Sequence, residues 1–269
     1  MKLSCSNIAW PAEKDEEMYA CLADKGFQGV EIAPTRLFPQ NPYDKLGPAK
    51  QFSGRLQEKF KLSIPSMQSI WFGLAESIFA SDAERQMLLA HSKKAIDFAH
   101  AIHCPSLVFG CPQNRRVPED MLDGDYLSIA SAFFAQIGDY AASRGTCLAI
   151  EPVPTIYNTN FINTTAQAFA LCKKLNNPGI KVNLDIGAML YNGESIQQLE
   201  GNMHLVNHIH ISEPYLAPIQ KRALHHELHA LLQSENYDRF LSIEMKNPGD
   251  NNLVKEAILY CKEVFCAVS

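Results

Sequence analysis

The chain has 269 residues, 46% hydrophobic and 20% charged, with a formal net charge of -5. That length suits one large domain with a sizeable core, and the acidic balance argues against a general binder of phosphate backbones, which needs a basic stripe. No apolar run approaches the roughly 18 residues of a membrane span, and the opening MKLSCSNIAW enters a strand pattern without the apolar region of a signal peptide.

Residues 3–10 read as a first strand with Trp10 at its tip, and the acidic run Glu13 to Glu17 opens a helix that Lys25-Gly26 stops. Residues 29–33 (GVEIA) form a second strand carrying Glu31. Thr35 to Lys50, with Pro39, Pro42 and Pro48, predicts a long loop able to cover part of a site, and a helix follows over about 51–59. Residues 62–71 (LSIPSMQSIW) read as a third strand, with Pro65 tolerable near its start and Gln68 near its end. Ser81-Asp82 caps a long amphipathic helix over about 82–102.

A fourth strand over 106–110 precedes a loop with Arg115 and Arg116, then a helix over about 126–143. The fifth strand, 147–151, ends on Glu151. Thr164-Thr165 starts the next helix, which Asn176-Asn177-Pro178-Gly179 breaks. The sixth strand, 180–186, carries Asp185 and precedes a short helical stretch near 194–201. The seventh, 206–212, carries His208 and His210 and leads through the loop 213–219 to a helix over about 222–233. The eighth, 239–245, carries Glu244, and Asn251-Asn252 opens a last helix to about Phe265.

Eight strands alternating with helices predict an α/β fold, a (β/α)₈ TIM barrel as one domain over 1–269. Active sites in such barrels gather at the C-terminal ends of the strands. Eight cysteines without a C-x-x-C pair read as free thiols in a reducing compartment, so a cytoplasmic location is expected.

Glu151, Asp185, His210 and Glu244 each end or nearly end an apolar run, at spacings of 34, 25 and 34 residues. A βα unit takes about 30 residues or more, so this is one polar residue per successive strand tip. Buried carboxylates cost several kcal/mol unless paired or metal-bound, and three converging at one mouth predict a counter-ion. The oxygen-rich set with one nitrogen suits one divalent metal ion, Mn²⁺, Mg²⁺ or Co²⁺ ahead of Zn²⁺. Such an ion would stabilise an enediolate, with Glu151 and Glu244 as the acid/base pair. Candidate substrate contacts are Gln68, Glu31, His225, Lys246 and Trp10, and His208 at period two from His210 is a candidate support one layer deeper.

The segments AIEP at Glu151, NLDIG at Asp185, HIHISEP at His210 and SIEMK at Glu244 carry a resemblance of the whole chain to the xylose-isomerase-like TIM-barrel superfamily of sugar isomerases, epimerases and endonuclease IV. The resemblance implies one metal held by the quartet, proton transfer by the two glutamates, and a substrate-side role for Glu213. It also implies a small-molecule substrate and a possible homo-oligomer. Three positions depart from the ketose 3-epimerases: Tyr157, Ala188 and Leu216 stand where those enzymes commonly carry Glu, His and Arg. The expected activity is therefore a metal-dependent isomerase or epimerase of a small sugar or keto-sugar-like substrate. The alternatives are a metal-dependent lyase or dehydratase of a sugar acid or polyol and, less favoured, an endonuclease IV-like phosphodiesterase. The last needs more histidines, where this chain has Gln68, Gly110 and Ala188.

Overall fold

A computed structural model describes residues 1–122 and 124–266. Strand β1 (Lys2–Ser6) is followed by α1 (Asp15–Asp24), β2 (Gly29–Glu31), a single turn α2 (Pro34–Leu37), α3 (Leu46–Arg55) and α4 (Asp82–Ala101). Then come β3 (Ser106–Phe109), α5 (Tyr126–Ser143), β4 (Cys147–Ile150), α6 (Thr165–Leu175), β5 (Ile180–Asp185) and α7 (Ile186–Asn192). The chain closes with β6 (Val206–Ser212), α8 (Ala223–Ser234), β7 (Phe240–Glu244) and α9 (Asn251–Cys266).

Every ladder is parallel, in the order β2-β1-β7-β6-β5-β4-β3. Strands such as SLVF of β3 and CLAI of β4 are buried throughout. Continuous apolar runs are what a parallel sheet covered on both faces requires. The predicted caps form: Ser81 accepts from Glu84 N at the start of α4, and Thr164 with Gln167 makes a reciprocal capping box at α6.

The third predicted strand is the main correction. Residues 62–71 make only isolated bridges, Gly29↔Ser63, Ile32↔Met67 and Met67↔Leu107. Pro65 supplies no N–H, so the ladder cannot run through it. The segment still spans from β2 to β3 by single bonds, Gln68 N to Ile32 O at 2.9 Å and Met67 N to Ser106 O at 2.9 Å. Seven strands, not eight, therefore form the regular sheet among the described residues. Two smaller corrections concern helices. The loop predicted over 35–50 is partly helical, and the turn after Asp185 is α7 itself, with only a 3₁₀ turn at Ile196–Leu199. One close approach is fixed by glycine: a Cβ at Gly179 would sit 1.9 Å from Gly138 O on α5.

Register carries polar residues to one end of the sheet. Asp185 pairs with His210 across β5 and β6, and Ser212 pairs with Glu244 across β6 and β7. Glu151 follows β4 directly, beside Asn183 on β5. The ladder between β5 and β6 shifts at Val182/Asn183.

Candidate metal centre

The quartet converges. Ligand atoms of Glu151, Asp185, His210 and Glu244 all lie within 4.8 Å of one another. His210 Nδ1 is 3.0 Å from Glu151 Oε1, 3.0 Å from Glu244 Oε2 and 3.9 Å from Asp185 Oδ2. Opposed ligands about 2.1–2.4 Å from one ion lie about 4.2–4.8 Å apart, so the spread fits a single cation. His210 and Glu244 are buried, while the Glu151 and Asp185 side chains are 14% and 12% exposed toward the mouth.

The electrostatics match a site built for a positive charge. Burial and then the charges of Glu151 and Glu244 push the Asp185 carboxyl up from its ordinary range. Burial likewise raises Glu244, against the pull of His210. Burial alone would depress the His210 imidazole, but Glu244, Glu31 and Glu151 outweigh it and hold the ring well above its ordinary value. A cation among these oxygens would relieve the repulsion between the three carboxylates.

Neighbouring groups aim the ligands. Asn183 Nδ2 donates to Glu151 Oε1 at 2.7 Å and lies 3.2 Å from His210 Nδ1. Ser212 Oγ donates to Asp185 Oδ2 at 2.7 Å, and Asp185 Oδ1 caps α7 through Ala188 N at 2.5 Å. Asn183 and Ser212 went unassigned from sequence, although each lies two residues from a quartet member on the same strand and so on the same face. Gly110 lies against Glu151, where an added Cβ would meet Glu151 Oε2 at 2.6 Å. The side chain that must yield is the carboxylate's flexible end, so Gly110→Ala should leave the melting temperature within a few degrees. It should weaken metal binding at least tenfold, as read by calorimetric titration.

The other candidates fall in different places. Gln68 lines the mouth, with Nε2 spent on Ser6 Oγ (2.9 Å) and Glu31 Oε1 (3.0 Å). Glu213 also lines it, but both its oxygens accept from Arg222, at 2.7 and 2.5 Å. Glu31 is not a substrate contact: it is 0% exposed, and its Oε2 lies 2.9 Å from His210 Nε2. Trp10 is a core residue, 1% exposed, edge-on to Tyr19 and donating from Nε1 to Asp15 at 2.8 Å. Lys246 is exposed and is not among the residues lining the cavity, and its backbone N donates to Leu216 O. His208 does lie deeper, 3.0 Å from Ser66 Oγ. Ser66 had no sequence signal, because it belongs to the irregular segment. The loop expected to cover the mouth instead lines a separate groove of about 660 Å³, with Tyr43 and Asp44.

His225 is also corrected. It sits inside α8, 0% exposed, with Nδ1 2.9 Å from Tyr260 Oη and, among the described residues, no partner for Nε2. Burial lowers its pKa from 6.5 to about 4, Glu213 opposing and Arg222 and His226 adding. The folded form is neutral, so stability is complete above pH 6.5 and is lost as pH falls toward 4, by about 3 kcal/mol. Urea midpoints across that window should fall in the parent protein, and His225→Gln should lack that part of the decline.

The mouth cavity has a volume of about 200 Å³. Above the quartet its wall includes Val153, Tyr157, Ala188 and Leu216, so the three positions that depart from the ketose epimerases all face it. Tyr157 Oη accepts from Tyr215 N at 2.8 Å, tying the loop after β4 to the loop after β6. Tyr215 and Leu216 hold positive φ of 64° and 54°, a strained conformation for non-glycine residues.

The family model described as xylose isomerase-like TIM barrel matches residues 20–264. No curated protein matches the chain. Among solved structures, D-psicose 3-epimerase from Clostridium cellulolyticum H10 superposes with a TM-score of 0.79 at 14% identity, covering 98% of this chain and 99% of that one. The E. coli 3-keto-D-glucoside 4-epimerase YcjR gives 0.72 at 19%, covering 96% and 97%. The probable 3-DHS dehydratase AsbF from Bacillus anthracis gives 0.68 at 16%, covering 96% and 98%. At these identities the likeness is one of fold.

Proposed function

The chain belongs to the xylose isomerase-like TIM barrel family, and from that premise we propose that it is a divalent-metal-dependent isomerase or epimerase of a small keto-sugar-like substrate. The observation that carries this reading is the pair of carboxylate oxygens, from Glu151 and Glu244, each 3.0 Å from His210 Nδ1 in the mouth of a small cavity. Glu151, Asp185, His210 and Glu244 would hold the ion, and the oxygen-rich set favours Mn²⁺, Mg²⁺ or Co²⁺ over Zn²⁺. A bound divalent ion would draw negative charge onto two adjacent substrate oxygens and so acidify the carbon between them.

The protein's own groups supply the proton transfers. A substrate carbon lying between Glu151 and Glu244 has a carboxylate on each side. One takes the proton and the other returns it on the opposite face, which inverts the centre; return to the neighbouring carbon isomerises. Asn183 Nδ2 steadies Glu151 by donating to its Oε1. The cavity is smaller than the roughly 300–1,000 Å³ of drug-sized ligand sites, which favours a substrate of monosaccharide size or less. Tyr157, Ala188 and Leu216 favour a substrate with fewer polar groups on that face than a free ketohexose.

Dehydration is the second reading, supported by the AsbF likeness and by the shared first step of proton abstraction. Phosphodiester hydrolysis is disfavoured, because it needs more histidine ligands and this chain has Gln68, Gly110 and Ala188 where they would stand. Metal-loaded protein incubated in deuterated water with ketoses, keto acids and their phosphates tests the reading. Deuterium entry without water loss is expected for at least one keto-sugar. Water loss from the labelled compound selects dehydration, and no exchange across the panel sinks the proton-transfer reading.

A further inference from the structure

We infer that Glu31 is a positioning residue that fixes the metal-facing nitrogen of His210 from behind the ring. The inference rests on the proposed metal site and concerns how one ligand is held there.

The two nitrogens of His210 face different groups. Nδ1 faces Glu151, Glu244 and Asp185, while Nε2 lies 2.9 Å from Glu31 Oε2. An ionised carboxylate only accepts, so the bond is Nε2–H to Glu31. A cation bound at Nδ1 would take the place of the proton there, and the neutral imidazole would then carry its one N–H on Nε2. Glu31 therefore selects the tautomer that a ligand at Nδ1 requires.

Glu31 is itself pinned. Ser66 Oγ donates to its Oε2 at 2.6 Å, and Gln68 Nε2 donates to its Oε1 at 3.0 Å. The Ser66 hydroxyl has one proton and gives it to Glu31, so its oxygen accepts from His208 Nε2–H at 3.0 Å. His208 Nε2 also lies 3.3 Å from Glu31 Oε2. Both oxygens of Glu31 are engaged and the residue is 0% exposed, so the carboxylate has no free route into the mouth. A buried charge of this kind costs several kcal/mol unless compensated. Here the compensation comes from three donors, Ser66, Gln68 and the N–H of His210 itself. Glu31, His208 and His210 also approach closely enough to hold a second ion between them, but in the bonding just described the nitrogens facing that gap carry protons.

The test is calorimetric titration of the full chain with Mn²⁺, paired with ¹⁵N NMR of the histidines in the Mg²⁺-loaded protein. The parent should bind one equivalent with His210 protonated at Nε2. Glu31→Gln should keep one equivalent and bind it about 10–100-fold more weakly, the usual effect of losing such a partner, with the single tautomer lost. Ser66→Ala, which removes one bond to Glu31 and leaves the charge, should weaken binding severalfold and serves if Glu31→Gln does not fold. Unchanged affinity and tautomer in the folded variants would overturn the inference while leaving the metal site standing. Two equivalents in the parent falling to one in Glu31→Gln would make Glu31 a ligand and overturn it as well. No binding by the parent would overturn both this and the metal reading, whereas binding that Asp185→Asn loses and Glu31→Gln leaves unchanged would overturn this inference alone.

Discussion

Glu151→Gln and Glu244→Gln should each lower solvent proton exchange by roughly 10³-fold or more, while the fold persists. Each change removes a candidate base, a step generally accounting for 10²–10⁴-fold, and also removes one of three negative charges around the ion. The replacement is nearly isosteric, and the amide oxygen can still accept from Asn183 Nδ2, so packing around 151 should hold. The two losses should not add. Once either proton carrier is gone the cycle cannot close, and the double variant should be little worse than the single ones. The check is deuterium incorporation into the best substrate of the panel, together with circular dichroism. Activity within tenfold of the parent in either single variant would remove that glutamate from the mechanism.

Stripping the metal should be equally severe for activity and visible in stability. Asp185, Glu244 and Glu151 crowd around one point, and burial has already pushed two of them toward the protonated form. A cation replaces that repulsion by attraction. An ion present at about 100 times its dissociation constant stabilises by about 2.7 kcal/mol, which for a domain of this size raises the melting temperature by about 5–10 °C. Protein treated with a chelator and dialysed should melt lower by that amount and show no exchange, with both recovered on adding Mn²⁺, Mg²⁺ or Co²⁺. A melting temperature indifferent to all three ions, with no bound equivalent by metal analysis, would dismantle the centre.

What could be read from sequence follows from where the signal resides. Glu151, Asp185, His210 and Glu244 end apolar runs at βα spacing, and both facts are local, so their convergence was foreseeable. Glu31 gives the same local signal at the end of β2, yet it lies beneath the ring of His210. Depth along the axis of a curled sheet depends on how neighbouring strands stagger, and no single segment records that. Residues 62–71 read as a strand because of their apolar pattern, but Pro65 denies them a ladder, so Ser66 was invisible as a partner of Glu31. His225 was misassigned because α8 begins at Ala223, close enough after β6 to resemble a mouth loop; only the packing against Tyr260 shows that it points into the core.

The junction after β5 limits where this molecule can change. Asp185 is at once the last residue of the strand, the cap of α7 and a member of the quartet, with no connecting residue between strand and helix. An insertion there would move a carboxylate and a helix start together, so that corner is closed to innovation by lengthening. The segments after β4 and β6, by contrast, run to several residues and carry Tyr157 and Leu216. New specificities on this scaffold are thus most readily gained by redrawing those two segments, while the third altered wall position, Ala188, can vary only by exchange of its side chain.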